Sequence, residues 1–257
     1  MTRPGTGRWL RPLSGGEAGV RLVCFPHVGG SASFFLALAR AMPDCVELVA
    51  VQYPGRQDRL RERPLSAITE LARHTYEALL AQVDLPTALF GHSMGALVAF
   101  EVARRGGPGD GVWPVALFVS GSRAPGMQRR FGDLHSREDT EILAELARLG
   151  GTDGRLLADE AFRRMIVPAV RADLAAIETY DYRWGPALRC PVTALVGARD
   201  PLATVADVHA WSACTTGPFA TCVFPGGHFY LAERNEDVAA RLAQELGSVI
   251  RGQASLD

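Results

Sequence analysis

Thr87-Ala88-Leu89-Phe90-Gly91-His92-Ser93-Met94-Gly95-Ala96-Leu97-Val98 changes its hydrophobic period halfway along. Thr87–Phe90 is a short apolar run of strand length. Ser93–Arg105 follows helical spacing and stops at Gly106-Gly107, with Arg104 and Arg105 in the last turn, where the helix dipole favours cations. A strand therefore passes into a helix through one sharp turn. The same alternation extends outward in both directions. Upstream, Arg21–Phe25 is an apolar run ending at Pro26, and Val46–Gln52 is another ending before Tyr53-Pro54-Gly55. Between that run and Thr87, residues 67–83 repeat apolar side chains at helical spacing behind a cap at Ser66. Downstream, Val115–Ser120, Val192–Gly197 and Ala220–Phe224 read as strands and Asp237–Ile250 as a final amphipathic helix. Short apolar strands alternating with helices predict a mostly parallel central sheet with helices on both faces.

Two stretches stand outside this alternation. Residues 1–19 are rich in Gly, Pro and Arg and read as a loose N-terminal arm. Between Ser120 and Val192 there are helical patterns and no strand. Arg137–Leu149 reads as a helix capped by Ser136 and stopped at Gly150-Gly151. Asp159–Tyr180 reads as one or two helices interrupted at Pro168. This predicts one domain over 1–257, with a helical lid insertion at about 124–188.

The 257 residues carry a net charge of -1 with 47% hydrophobic residues. That suits a large α/β domain and argues against bulk nucleic-acid binding or an acidic tail. Cys24, Cys45, Cys190, Cys214 and Cys222 form no C-x-x-C pair, and most lie in strand-like runs. They read as buried free thiols of a reducing compartment. The N-terminus has no apolar run after its basic residues, and no stretch approaches the ~18 apolar residues of a membrane span. The expectation is a soluble cytoplasmic protein with no nucleic-acid or membrane partner.

Gly91-His92-Ser93-Met94-Gly95 is a G-x-S-x-G pattern set between a strand and a helix. Glycines on either side let strand and helix approach closely, and the turn lifts Ser93 Oγ above the sheet edge. This points to the α/β-hydrolase fold with Ser93 as nucleophile. A serine hydroxyl needs a base, and the base needs an orienting carboxylate, in the chain order Ser, acid, His. Three histidines follow Ser93. His135 falls in the lid and His209 in a helix-like run. His228, in Pro225-Gly226-Gly227-His228-Phe229 after a strand, is the preferred base. Asp200, where Val192–Gly197 runs into Ala198-Arg199-Asp200-Pro201, is the preferred acid, ranking above Asp181 and Asp207. The oxyanion hole needs two backbone N–H donors. Met94 supplies one, and Val28 of Phe25-Pro26-His27-Val28-Gly29-Gly30 supplies the other, with Gly29 second. His27 is expected to shape this loop, and His92 to act as a packing or hydrogen-bonding neighbour. No metal or cofactor is called for.

These segments, with Gln52-Tyr53-Pro54-Gly55-Arg56, Gly197-Ala198-Arg199-Asp200 and Gly226-Gly227-His228-Phe229, together resemble the type II thioesterases. These are the stand-alone editing enzymes of polyketide and nonribosomal peptide biosynthesis. The likeness runs in order from about Arg21 to the last helix. It departs at Val28, where that family usually has Ala, a change that keeps the backbone donor. The strand after the nucleophile helix ends Val119-Ser120-Gly121-Ser122 with no carboxylate, unlike many integrated chain-releasing thioesterases, which also favours Asp200.

The resemblance implies hydrolysis of short, aberrant acyl groups from the phosphopantetheine arm of an acyl or peptidyl carrier protein of a polyketide or nonribosomal peptide synthase. Separately, a monomer is expected. Arg56, Arg59, Arg61 and Arg63, or Arg129 and Arg130, are candidate docking groups for an acidic carrier. A small-molecule esterase of the same fold and a non-catalytic binding module are the alternatives.

Overall fold

The computed structural model describes residues 8–106, 113–127, 132–151, 156 and 158–253. Its strands are β1 (Leu10–Pro12), β2 (Val20–Phe25), β3 (Val46–Val51), β4 (Thr87–His92), β5 (Leu117–Ser120), β6 (Val192–Gly197) and β7 (Phe219–Phe224). They form a 7-stranded sheet in the order β1-β3-β2-β4-β5-β6-β7. β1 is antiparallel to β3, with Leu10 opposite Val51, and every other pair is parallel. The helices are α1 (Leu36–Ala41), α2 (Ile68–Leu79), α3 (Met94–Arg105), α4 (Asp139–Leu149), α5 (Glu160–Glu178), α6 (Val205–His209), α7 (Tyr230–Glu233) and α8 (Asn235–Gln253).

Alternation along the strands divides the core into two layers. Val23 and Phe25 of β2, Val49 and Val51 of β3 and Leu89 of β4 pack with α2 and α3 on one face. Leu22, Cys24, Leu48, Ala50, Ala88 and Phe90 pack with α1 and α8 on the other. Both faces are dry, so these strands read as unbroken apolar runs.

Of the predicted arm, residues 1–7 lie outside the described residues. Leu10–Pro12 is not loose: it is an edge strand, and the Trp9 carbonyl accepts the Gln52 N–H at 2.8 Å. Three residues ending in Pro are too few to show a period. α2 begins at Ile68 with Ala67 as N-cap and no side-chain cap, so Ser66 does not cap it. A missing cap costs about 1 kcal/mol, whereas burying Ile68, Leu71 and Leu79 contributes about 2 kcal/mol each. Packing therefore sets the start of this helix.

α4 likewise starts at Asp139 without a cap from Ser136, and ends at Gly150 with φ 81° as expected. α5 runs unbroken through Pro168, capped by Asp159, whose carboxylate accepts the Phe162 N–H at 2.7 Å. A mid-helix proline costs about 3 kcal/mol, and burial of Val167, Ala169, Val170 and Leu174 around it offsets that. The five cysteines are free, but Cys45 is exposed and Cys222 half-buried, since Cys45 precedes β3 instead of lying in it. Among the described residues no helix is long and apolar enough to cross a membrane.

α4 and α5 lie between β5 and β6 in the chain and, with Leu134 of the 3-10 turn before α4, form their own small core of Leu134, Ile142, Val170 and Leu174. This core packs against Val28 in the loop after β2. A helical cap is thereby seated on the carboxyl ends of the strands, over Ser93.

Candidate active site

Ser93 is the N-cap of α3 and has φ 56°, ψ -119°. A non-glycine residue held there costs about 1–3 kcal/mol, and the surrounding packing must impose it. That packing is visible at its neighbours. A Cβ on Gly91 would lie 2.3 Å from the Gly95 carbonyl oxygen, and one on Gly95 would lie 2.0 Å from that of Phe25. Strand, helix and the loop after β2 are in backbone contact around the serine. The Ser93 N–H donates to the Ser120 carbonyl at 2.8 Å, which ties the turn to β5.

The structure brings three of the residues singled out above into one hydrogen-bonded chain. His228 Nδ1–H donates to Asp200 Oδ2 at 2.9 Å, and His228 Nε2 accepts from Ser93 Oγ–H at 3.0 Å. The carboxylate can only accept from the ring, which fixes this tautomer. Asp200 Oδ1 accepts the N–H groups of Leu202 (2.8 Å) and Ala203 (3.3 Å), so both carboxylate oxygens are held. Asp200 and His228 are buried and Ser93 is half-buried. The chain thus runs from the interior to the serine, and the helix N-terminus beside it offers positive potential for a developing oxyanion.

The lower-ranked residues lie elsewhere. Asp181 is exposed, 4.0 Å from Arg183. Asp207 completes the cap of α6 with Thr204 and pairs with Arg123 at 3.1 Å. His209 rests edge-on to Phe219. His135 is hydrogen-bonded to Glu178, whose carboxylate also accepts the N–H of Leu134 at 2.9 Å. Asp133, His135 and Glu178 are close enough to share a cation, but these internal bonds already occupy the Glu178 carboxylate.

Two histidines flank the chain. His27 Nδ1–H donates to the Val28 carbonyl at 2.8 Å. Burial, with His228 and Arg56 nearby, lowers its pKa to about 4. His92 lies behind His228, with ring centroids 5.2 Å apart. It bonds Ser120 Oγ at 2.9 Å, which in turn meets Tyr230 Oη at 2.7 Å. Burial holds His92 well below the ordinary histidine range. Both rings are neutral near pH 7 and add no positive charge beside His228.

A mostly apolar cavity opens beside Ser93. Val28, Leu97, Ile142, Leu146, Leu174 and Phe229 contribute to its wall, and Met94 also borders it. The Gly29 N–H donates to Asp173 Oδ2 at 2.8 Å, so this second-choice oxyanion donor is already engaged. The proposed docking arginines need correction. Arg56 is buried and paired with Asp173. Arg59 is also buried: it donates to the Gln52 carbonyl at 2.8 Å, pairs with Glu62 and lies over the Trp9 ring. Arg61 and Arg63 are exposed, and Arg129 and Arg130 lie outside the described residues.

Asp173 went unnoticed in the sequence. The available signal was a carboxylate between Val170 and Leu174 on the apolar side of a helix. Ser120 and Tyr230 gave none, because their bond spans 110 residues.

The family model for the Thioesterase domain matches residues 20–246. Thioesterase PikA5 of Streptomyces venezuelae is 43% identical over 244 residues, covering 94% of this chain and 86% of that protein. The solved structure of the type II thioesterase BorB, from the borrelidin biosynthetic cluster, matches with a TM-score of 0.86 at 45% identity, covering 96% of this chain and 100% of that one. RedJ, a thioesterase of the prodiginine pathway in Streptomyces coelicolor, matches with a TM-score of 0.81 at 43% identity, covering 89% and 91%. The chain belongs to the thioesterase family, as a type II member with the α/β-hydrolase fold.

Proposed function

We propose that this protein hydrolyses short acyl groups from the phosphopantetheine arm of an acyl or peptidyl carrier protein, clearing aberrant or stalled chains from a polyketide or nonribosomal peptide synthase. The observation that carries this reading is the Asp200–His228–Ser93 hydrogen-bond chain at the mouth of an apolar cavity. The biosynthetic settings of BorB and RedJ support the choice of partner.

In this reading Ser93 Oγ attacks the thioester carbonyl while His228 Nε2 takes its proton. Asp200 keeps the ring in the required tautomer and stabilises the imidazolium. The oxyanion rests on the N–H groups of Met94 and Val28. The C–S bond breaks, His228 returns the proton to the departing thiolate, and the acyl group stays on Ser93. Water then adds to the ester with His228 again as base, the bond between the acyl carbon and Ser93 Oγ breaks, His228 returns the proton to Oγ, and the free acid leaves. No metal or bound cofactor enters these steps. The helices at about 124–188 serve as the lid that shapes the acyl site, on a single cytoplasmic domain acting as a monomer.

The test compares acyl-pantetheine thioesters with matching oxyesters, in wild type and Ser93→Ala. Faster Ser93-dependent turnover of the thioester supports the reading. Oxyester turnover alone would move the protein to the small-molecule esterases.

A further inference from the structure

The loop after β2 and the helical cap meet at one peptide unit. The carbonyl of the Val28–Gly29 peptide accepts from His27 Nδ1–H at 2.8 Å. The N–H of the same peptide donates to Asp173 Oδ2 at 2.8 Å. Both poles of one peptide plane are therefore held, one from within the loop and one from α5. Asp173 is fully buried and lies 117 residues from Arg56, which bonds the same Oδ2 oxygen. Arg56 is itself held by the Pro54 carbonyl at 2.8 Å. One turn earlier on α5, Val170 touches the loop as well. Gly29 has φ 70°, and a Cβ there would lie 2.9 Å from Val170 Cγ2. A fully buried ion pair gives little net stability compared with apolar side chains of similar size, so stability alone does not explain its presence.

We propose that Asp173 is a positioning residue for catalysis: by holding the Val28–Gly29 peptide from the cap, it keeps the Val28 N–H turned towards the oxyanion. The proposal rests on the reading above, in which that N–H is an oxyanion donor. The Val28 N–H belongs to the peptide just before the pinned one. Swinging it away rotates the His27–Val28 peptide, breaks the bond from the Gly30 N–H to its carbonyl at 2.9 Å, and opens the turn whose central peptide the two bonds hold. Arg56 orients the carboxylate that makes one of them. Oxyanion stabilisation then depends on α5 being seated, and a displaced cap leaves a serine with half of its oxyanion hole.

Single substitutions would strand a buried charge, so the test uses pairs. Arg56→Gln/Asp173→Asn keeps a carbonyl acceptor for the Gly29 N–H. Arg56→Met/Asp173→Leu removes the acceptor at similar volume. Should the latter not fold, Arg56→Gln/Asp173→Ser takes its place, since the shorter hydroxyl stops short of Gly29.

Kinetics on an acyl-pantetheine thioester are paired with two ligands. An acyl trifluoromethyl ketone forms an oxyanion on Ser93, and the matching pantetheine thioether has no carbonyl. The acceptor-less pair is expected to lose about 10²–10³ in kcat and in ketone affinity, the scale of one lost oxyanion donor. KM and thioether affinity should hold. The Gln/Asn pair should recover kcat to within about tenfold, the difference between a charged and a neutral acceptor.

Wild-type kcat and ketone affinity without the acceptor would overturn the proposal. So would parallel losses of ketone and thioether affinity in both pairs, which mark a purely structural role. If wild type cleaves only oxyesters, the substrate reading fails. The same comparison on the oxyester still tests Asp173.

Discussion

Replacing Gly95 with alanine sets a local preference against the tertiary structure. Gly95 lies in the first turn of α3, where alanine is favoured over glycine by about 1 kcal/mol. Its φ is not positive, so the backbone itself accepts a side chain. The obstacle is the end of β2 and the first residue of the loop after it. The new Cβ would lie 2.0 Å from the Phe25 oxygen, 2.6 Å from the Phe25 carbon and 2.8 Å from the Pro26 oxygen. Contacts under 3.0 Å are essentially never seen, so one side must move by at least the difference, 1.0 Å.

β2 is hydrogen-bonded between β3 and β4 and cannot yield easily. The start of α3 moves instead and carries Ser93 and Met94 away from His228 and Val28. A displacement of about 1 Å costs about 10²-fold in rate. Overpacking of this kind destabilises by about 1–3 kcal/mol, a fall in Tm of about 2–12 °C for a chain of this size. The assay is kcat/KM on a thioester, the rate of fluorophosphonate labelling of Ser93, and Tm. Gly227→Ala is the control, because a Cβ there meets nothing within 4 Å. If Gly95→Ala matched wild type in rate and Tm while folding normally, the backbone contact described around Ser93 would be refuted.

Three further outcomes follow from the same geometry. Asp200→Asn should lower kcat by a factor on the order of 10⁴, because the amide no longer enforces the His228 tautomer. KM should change little, and steady-state kinetics checks both. His27 is held at a pKa of about 4 against an ordinary 6.5, so the unfolded chain binds the extra proton first. The stability linked to this group is present above pH 6.5 and is lost as pH falls towards 4, so His27→Gln should flatten the decline in Tm across that window. Leu146→Trp fills part of the cavity wall and should cut kcat/KM for longer acyl chains by about 10–200-fold relative to acetyl, as a competition assay with mixed chain lengths would record.

The sheet was legible because β2, β3, β4 and β6 are covered on both faces and read as uninterrupted apolar runs between turn residues. Ser93, His228 and Asp200 were legible as candidates for a related reason. Each follows a strand in a glycine- or proline-marked turn, and such turns collect at one edge of a parallel sheet. What escaped depends on contacts remote in sequence. β1 exists only because β3 offers an edge. Pro168 stays within α5 because the cap's core is packed around it. Arg56 and Arg59 look like surface charges until Asp173, Gln52 and Trp9 are brought to them. A buried arginine cannot be told from an exposed one without its partner.

The central claim is that Ser93 takes an acyl group from a carrier-bound thioester and passes it to water. Intact mass spectrometry of an acyl-loaded carrier protein mixed with this enzyme tests it most directly, with Ser93→Ala in parallel. The carrier should lose the acyl mass and return to its phosphopantetheine form with wild type only, and rapid acid quench should trap a transient wild-type species heavier by the acyl group. A carrier that keeps its acyl group with wild type, or loses it equally with Ser93→Ala, would rule out Ser93-dependent hydrolysis of the carrier-bound thioester.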